Sequence, residues 1–306
     1  MGLPIPLMRL LAREHRRQPF TGRVLTLGRQ CLYATRREVE TMLAEEQIPI
    51  TPLPPDMPSG TNIPQWKGTP DEANTSDVAF FWLLGGLEVK ALDISTFEGA
   101  DIAHDLNRPV PADLHEQFDL ILDSGTLEHI FHVPQVLANV ARMLRRGGRV
   151  IHFTPTNNYT NHGFYQICPT LYADFYRANH FQDVRVFVAE QGNLRDPKAS
   201  MRVYDLTARQ PEIMLSSRRL LSLAIATKTD ASTPDTIPMQ GYYSNLFEGD
   251  AKPASGEADN SWGQRSWGQR LRRMLPVPLK TLARRLIPGL DPFHRPWRLP
   301  FWGRLD

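Results

Sequence analysis

Three acids stand where apolar runs end. Asp93 closes VKALD, Asp105 follows DIAH, and Asp123 closes FDLILD. A carboxylate placed there can accept hydrogen bonds from vicinal hydroxyls, an amino group or an ammonium. Ser124 and Gly125 come directly after Asp123, and a glycine lets a ligand approach the backbone closely. Glu128 and His129 follow. An imidazole titrates near neutrality, about pH 6.5, so His129 can take a proton from a hydroxyl. Further on, TPTNNYTNHGFYQICP (154–169) gathers Asn158, His162, Tyr165 and Gln166. Amides, aromatic rings and a second imidazole in one loop suit an acceptor that carries hydroxyls, either a small molecule or a glycan. Each residue also has a plainer reading: Asp93 as a solvated strand end, Asp105 in an Asp-Leu-Asn turn, Asp123 and Glu128 as caps, His129 as packing. No set of His, Cys, Asp and Glu shows metal-ligand spacing, so no metal is expected.

Elements must bring these residues together. VLTLG (24–28) reads as a strand and TRREVETMLAEEQ (35–47) as an amphipathic helix. The proline-rich stretch 48–70 is a loop, and 48–76 as a whole reads as an insertion. DVAFFWLLGG (77–86) reads as a buried helix with a glycine cap. Strands are expected over 89–95, 100–106, 118–122, 149–155, 184–190 and 220–229. Helices are expected over 133–148, closed by Gly147 and Gly148, and over 169–181, and 191–219 reads as irregular. Strand–helix–strand units in succession imply an α/β fold, doubly wound, with a mostly parallel sheet of about seven strands. Ligands then bind outside the C-terminal strand ends. Residues 1–229 form this domain, 230–261 a linker, and 262–306 a tail.

The stretch GRVLTLGRQCLYAT (22–35) begins like a nucleotide-binding strand and turn. After Gly28, however, Arg29, Gln30, Cys31 and Leu32 stand where a glycine-rich loop would lie. That counts against a nicotinamide-dependent oxidoreductase, because a pyrophosphate needs the close backbone approach.

The segment 118–155 resembles the class I S-adenosylmethionine-dependent methyltransferases. The pieces are the strand ending at Asp123, Leu127-Glu128-His129, a helix, Gly147-Gly148, and the strand 149–153. LTLGRQ, HDLNRP, DSGTLEHI and NHGFYQICPTLYADFY further resemble a bacterial group of methyltransferase-like proteins without the usual glycine loop. The resemblance implies a Rossmann-like fold and S-adenosylmethionine as cofactor. It implies Asp93 for the ribose hydroxyls and Asp105 for the adenine amino group. Asp123, Ser124 and Gly125 would lie beside the methionine part. Gly28 keeps the turn, and Arg29 or Gln30 is a candidate for the methionine carboxylate, with Arg29 favoured because a guanidinium pairs with a carboxylate through two hydrogen bonds. His129, His162 and Glu128 are the catalytic candidates, and Asn158, His162, Tyr165 and Gln166 the acceptor-binding ones. The rival reading is a methyltransferase-like scaffold that has lost turnover and works through its tail.

Charge separates body from tail. The tail holds nine Arg and Lys280 against Asp291 and Asp306, a charge of +8, so the remaining 261 residues carry −6 of a total of +2. A mildly acidic body makes nucleic acid an unsuitable partner. The tail mixes bases, leucines and tryptophans and reads as flexible. It is a candidate for peripheral contact with the inner membrane face or with a protein. Two cysteines without metal or disulfide spacing, and no signal peptide, predict a cytoplasmic protein.

Overall fold

The computed structural model describes residues 2–61, 73–192, 201–207, 214, 216–241, 243 and 301–305. The chain begins with β1 (Gly2–Leu3) and α1 (Ile5–Arg17). Leu7, Met8, Leu10 and Leu11 of α1 are buried. β2 (Arg23–Leu27) and β3 (Cys31–Thr35) follow with only Gly28, Arg29 and Gln30 between them. Thr35 then caps α2 (Arg36–Glu45) reciprocally with Glu38, satisfying two backbone donors. Next come β4 (Asn74–Ser76), α3 (Asp77–Gly85), β5 (Glu88–Asp93) and β6 (Ile102–Ala103). α3 stops at Gly86, whose φ of 65° is the left-handed conformation that a glycine cap supplies. β7 (Phe118–Ser124), α4 (Val133–Met143), β8 (Leu144–Asn157), α5 (Pro169–Ala178) and β9 (Gln182–Glu190) continue the alternation. β10 (Met201–Asp205), β11 (Leu220–Thr227) and β12 (Phe301–Leu305) complete the described elements.

The main sheet runs β12-β10-β9-β11-β8-β7-β2-β5-β6. Its pairings make all strands but β10 and β11 point the same way. The chain therefore has the Rossmann-like, mostly parallel fold, with nine strands in this sheet among the described residues rather than about seven. Alternation along the strands feeds two cores. Val24, Leu120, Leu122, Ile151 and Phe153 pack with α1, α2 and α3. Leu25, Leu27, Ile121 and Val150 pack with α4 and α5 on the other face. No helix among the described residues is long and apolar enough to cross a membrane.

The structure corrects several expected boundaries. α4 ends at Met143 instead of running to Gly148. Leu144 is already extended, and the carbonyls of Arg142 and Met143 accept from the backbone of Glu116 and Gln117, which closes the last turn from outside. Gly147 and Gly148 lie in β8, where a Cβ on Gly148 would stand 3.0 Å from the Asp119 carbonyl oxygen. The expected strand over 100–106 shrinks to Ile102–Ala103, because Asp105 opens a turn onto Asn107. β10 lies inside 191–219, which reads as irregular. β12 takes the end of the tail into the sheet edge, whereas 244–300, most of the tail and part of the linker, lies outside the described residues. The first part of the linker is held to the body: Asn179 bonds Thr233 and Thr236, and Asp174 accepts from the Gly241 backbone.

Candidate active site

A cavity of about 320 Å³ opens at the C-terminal ends of β2, β5, β6 and β7. That is within the range of small-molecule and cofactor sites. Its lining includes Gly28, Gln30, Asp93, Asp105, Gly125 and His129. Gly28 shows why a glycine survives here. Its φ is 73°, and a Cβ would lie 3.3 Å from Thr126 Oγ1 and 3.5 Å from Asp93 Oδ2. The backbone passes thinly between two polar side chains, one of which, Thr126, donates to the Leu27 carbonyl at 2.6 Å.

The chain after Gly28 does not form a glycine loop because it turns into β3, which belongs to a separate small sheet with β1 and β4. Arg29 lines the cavity, but its guanidinium is already engaged. It donates to Asp77 at 3.1 Å and 3.3 Å, to Asp101 at 2.6 Å and to the Gly99 carbonyl. Asp77 is buried, and Arg29 neutralises it, so the expected free clamp for a ligand carboxylate is a structural tie instead. Gln30 is the residue that the sequence reading underrated. It is 3 % exposed, its amide donates to the carbonyls of Leu27 and Gly28, and its Oε1 is buried without a partner.

Asp93 and Asp105 both line the cavity. Asp93 accepts from the Ile94 backbone through Oδ1, while Oδ2 faces the Gly28 backbone. Asp105 accepts from the backbone and side chain of Asn107 through one oxygen, as the turn reading expects. These bonds hold its carboxyl below the usual range. Gly125, with φ of 92°, is also at the wall.

Asp123 and Ser124 are placed differently from the expectation: both are buried and neither lines the cavity. Asp123 Oδ1 accepts from the Thr126 and Leu127 backbone, shaping the loop beyond β7. Its Oδ2 lies 2.8 Å from His152 Nδ1, and His152 Nε2 lies 2.6 Å from the Tyr176 hydroxyl. The consistent arrangement has Nδ1–H donating to Asp123 and Tyr176 donating to Nε2. Asp123 thus braces the site from beneath and does not line the cavity.

Beside the cavity the loop 158–167 folds back onto Glu128. The backbone of Phe164 and Tyr165 donates to the Glu128 carbonyl at 2.7 Å and 3.2 Å. Gly163 makes this contact possible, since a Cβ there would stand 2.7 Å from that oxygen and its φ is 73°. The fold-back brings His162 to Glu128 and His129. The two imidazole rings stand 5.0 Å apart, edge to face. The Nε2 atoms of His129 and His162 lie 3.8 Å and 3.7 Å from Glu128 Oε1. Glu128 is fully buried and neither carboxylate oxygen has a hydrogen-bond partner. Burial, reinforced by the Asp123 charge, pushes its carboxyl up to about 8. Burial also lowers both histidines, so each is a neutral imidazole at physiological pH.

The remaining loop residues are committed. Asn158 donates to the carbonyls of Ser216 and Arg218, Gln166 accepts from the Tyr159 backbone, and Tyr165 donates to the Phe131 carbonyl. They shape the loop, whereas the sequence reading had them touching an acceptor. What that reading missed is an exposed aromatic cluster next to the two histidines in the chain. Phe131 and Phe164 are 70 % and 67 % exposed and meet edge to face at 5.9 Å, with Tyr165 beside them. A phenylalanine two residues after each histidine, at 131 and 164, was the available signal.

A family model described as a methyltransferase domain matches residues 81–152, the stretch from α3 into β8 that carries Asp93, Asp105 and Glu128. Residues 81–152, about a quarter of the chain, are thus similar to a methyltransferase domain. Among solved structures it is similar to the 1,6-didemethyltoxoflavin N1-methyltransferase of Burkholderia thailandensis, at 15% identity and a TM-score of 0.37, over 73% of this chain and 78% of that one. It is also similar to a methyltransferase from Archaeoglobus fulgidus, at 14% and 0.37, over 72% and 94%. A phosphoethanolamine N-methyltransferase of Haemonchus contortus gives 12% and 0.38, over 72% and 52%. Likenesses this distant say nothing about the acceptor. No curated protein matches the chain.

Proposed function

We propose that the protein is a methyltransferase, which moves the methyl group of S-adenosylmethionine to a hydroxyl oxygen of a small molecule with an apolar or aromatic body. The observation that carries the reading is the position of His129: it lines the cofactor-sized cavity and also belongs to the Glu128–His162 cluster. In this reading Asp93 accepts from the ribose hydroxyls, Asp105 and its turn border the adenine, and Gln30 Oε1 accepts from the methionine ammonium. Gly28 and Gly125 let the backbone close on the ligand. Transfer is an in-line displacement: the acceptor oxygen takes the methyl, the sulfonium becomes a thioether, and the hydroxyl proton is released beside the Glu128–His129–His162 cluster. Such a reaction depends on proximity and orientation more than on a strong base. The exposed aromatics Phe131, Phe164 and Tyr165 offer an apolar surface near the cluster for the body of such an acceptor.

The test is a transfer assay with methyl-labelled S-adenosylmethionine and a panel of phenols, aliphatic alcohols and simple sugars. Label appearing as an ether on a phenol or alcohol, and lost in His129→Ala, supports the reading. Label on nitrogen or carbon only would overturn the oxygen assignment. Bound cofactor with no transfer to any acceptor in the panel would favour the scaffold alternative, which the lost glycine loop also favours.

A further inference from the structure

The Glu128–His129–His162 cluster has a geometry that proton acceptance alone does not account for. One carboxylate oxygen and two imidazole nitrogens all lie within 4.8 Å of one another. The separations from Glu128 Oε1, 3.8 Å to His129 and 3.7 Å to His162, are too long for hydrogen bonds. They are suited to atoms that share an ion. Two ligands about 2.1 Å from a common metal stand about 3.4 Å apart at the tetrahedral angle and about 4.2 Å apart at most. The two carboxylate–imidazole separations already fall inside that range, and the set as a whole, within 4.8 Å, has only to draw together around an ion.

A second observation points the same way. Glu128 is fully buried, and both of its oxygens lack a partner. His162 Nε2 is buried and unpartnered as well. Buried polar atoms without partners are costly, and an unseen ion is one of the few things that would satisfy all three together. The surrounding structure maintains the arrangement: the backbone clamp on the Glu128 carbonyl fixes His162, and Gly163 admits the clamp.

We propose that Glu128, His129 and His162 form a divalent-cation site. The ion is a first-row transition metal such as zinc or cobalt, because two of its three ligands are imidazoles, which suit such metals better than magnesium or calcium. Three protein ligands leave a coordination position open, as in catalytic and not structural sites. His129 places that position beside the cavity. An acceptor oxygen can occupy it, giving its proton to water as it binds, since a bound cation lowers the pKa of a coordinated hydroxyl. The cation site stands on the cluster itself. Only the role of its open position rests on the methyltransferase reading, and it narrows the acceptor to one that can place a hydroxyl on a metal.

The experiment uses the full chain without a polyhistidine tag, stripped with chelator and titrated with cobalt(II) chloride. Absorption reports coordination, and calorimetry reports zinc binding. One equivalent of cobalt with visible d–d bands is expected. Glu128→Gln, which keeps the side-chain shape, and the partly exposed His129→Ala should each weaken binding. The loss should be at least the roughly 10–100-fold that removing an outer-sphere partner costs. Thermal melts of both variants establish that they fold. Absence of stoichiometric binding, or binding unaffected by both substitutions, overturns the site. S-adenosylhomocysteine is titrated in parallel. Cofactor binding without metal overturns the cation site and leaves the methyltransferase reading intact. Metal binding without cofactor upholds the site and overturns the role given to its open position.

Discussion

Glu128 is the residue on which most of the chemistry turns, because it is an acid kept from water with no donor to answer it. Its carboxyl is raised from the ordinary 4.5 to about 8. The folded chain therefore favours the protonated form, and metal-free protein loses stability as pH rises from about 4.5 to about 8. Linkage at about 1.36 kcal/mol per pKa unit makes the loss on the order of 5 kcal/mol. Glu128→Gln removes the ionisation, so in chelator the melting temperature of the variant should gain on that of the wild type as pH rises from 5 to 9. Parallel curves would contradict the burial argument. Gly28→Ala is the second test at this scale. The left-handed φ costs a Cβ-bearing residue about 1–2 kcal/mol, and the added methyl crowds Thr126 Oγ1. Both stability and cofactor affinity should fall. The sequence named Gly28, Asp93, Asp105, Glu128, His129 and His162, because strand ends and the Leu-Glu-His element locate them. It did not show that Arg29 and Asp123 are engaged within the protein, since their partners Asp77, Asp101 and His152 are distant in the chain or on another strand.

Elements position these residues by ties that local pattern does not reveal. The N-terminal helix α1 reads in sequence only as a short apolar stretch followed by bases. Its arginines in fact reach α2: Arg9 and Arg13 donate to the Glu46 carboxylate at 3.0 Å and 2.8 Å, and Arg16 to its carbonyl. Burial alone would raise Glu46, but these hydrogen bonds hold it below the usual range. A lowered acid contributes stability above its ordinary pKa and loses it as pH falls through the folded value. Glu46→Gln should accordingly cost about 1–3 kcal/mol at pH 7, and chemical denaturation should show the gap closing in acid. A gap that persists at pH 3 would mean that packing, not charge, is at issue. Helices with a clear 3.6-residue pattern or a glycine cap, such as α2 and α3, were legible to within a residue or two. β3 was not, because five residues after a strand-like run look like the approach to a helix.

At the scale of the whole molecule, the order of strands and helices was legible from alternation, and with it the face that holds the cavity. The edge beyond β9 was not. β10 has five residues, and β12 pairs with it from about a hundred residues further along the sequence. Such long-range pairing leaves no local trace. Deleting residues 301–306 should uncover β10 and lower the melting temperature, by about 2–4 °C for each kcal/mol lost. Affinity for S-adenosylhomocysteine should not change, because the cavity lies at the other side of the sheet order, around β2 and β5. The central claim is that this cavity holds the cofactor through Asp93. Calorimetric titration of S-adenosylhomocysteine into the wild type and into Asp93→Ala tests it most directly. The account predicts one site on the wild type and a loss of about 10–100-fold in the variant, the value of a hydrogen bond to a charged group. Equal binding by both proteins, or none by the wild type, would contradict it.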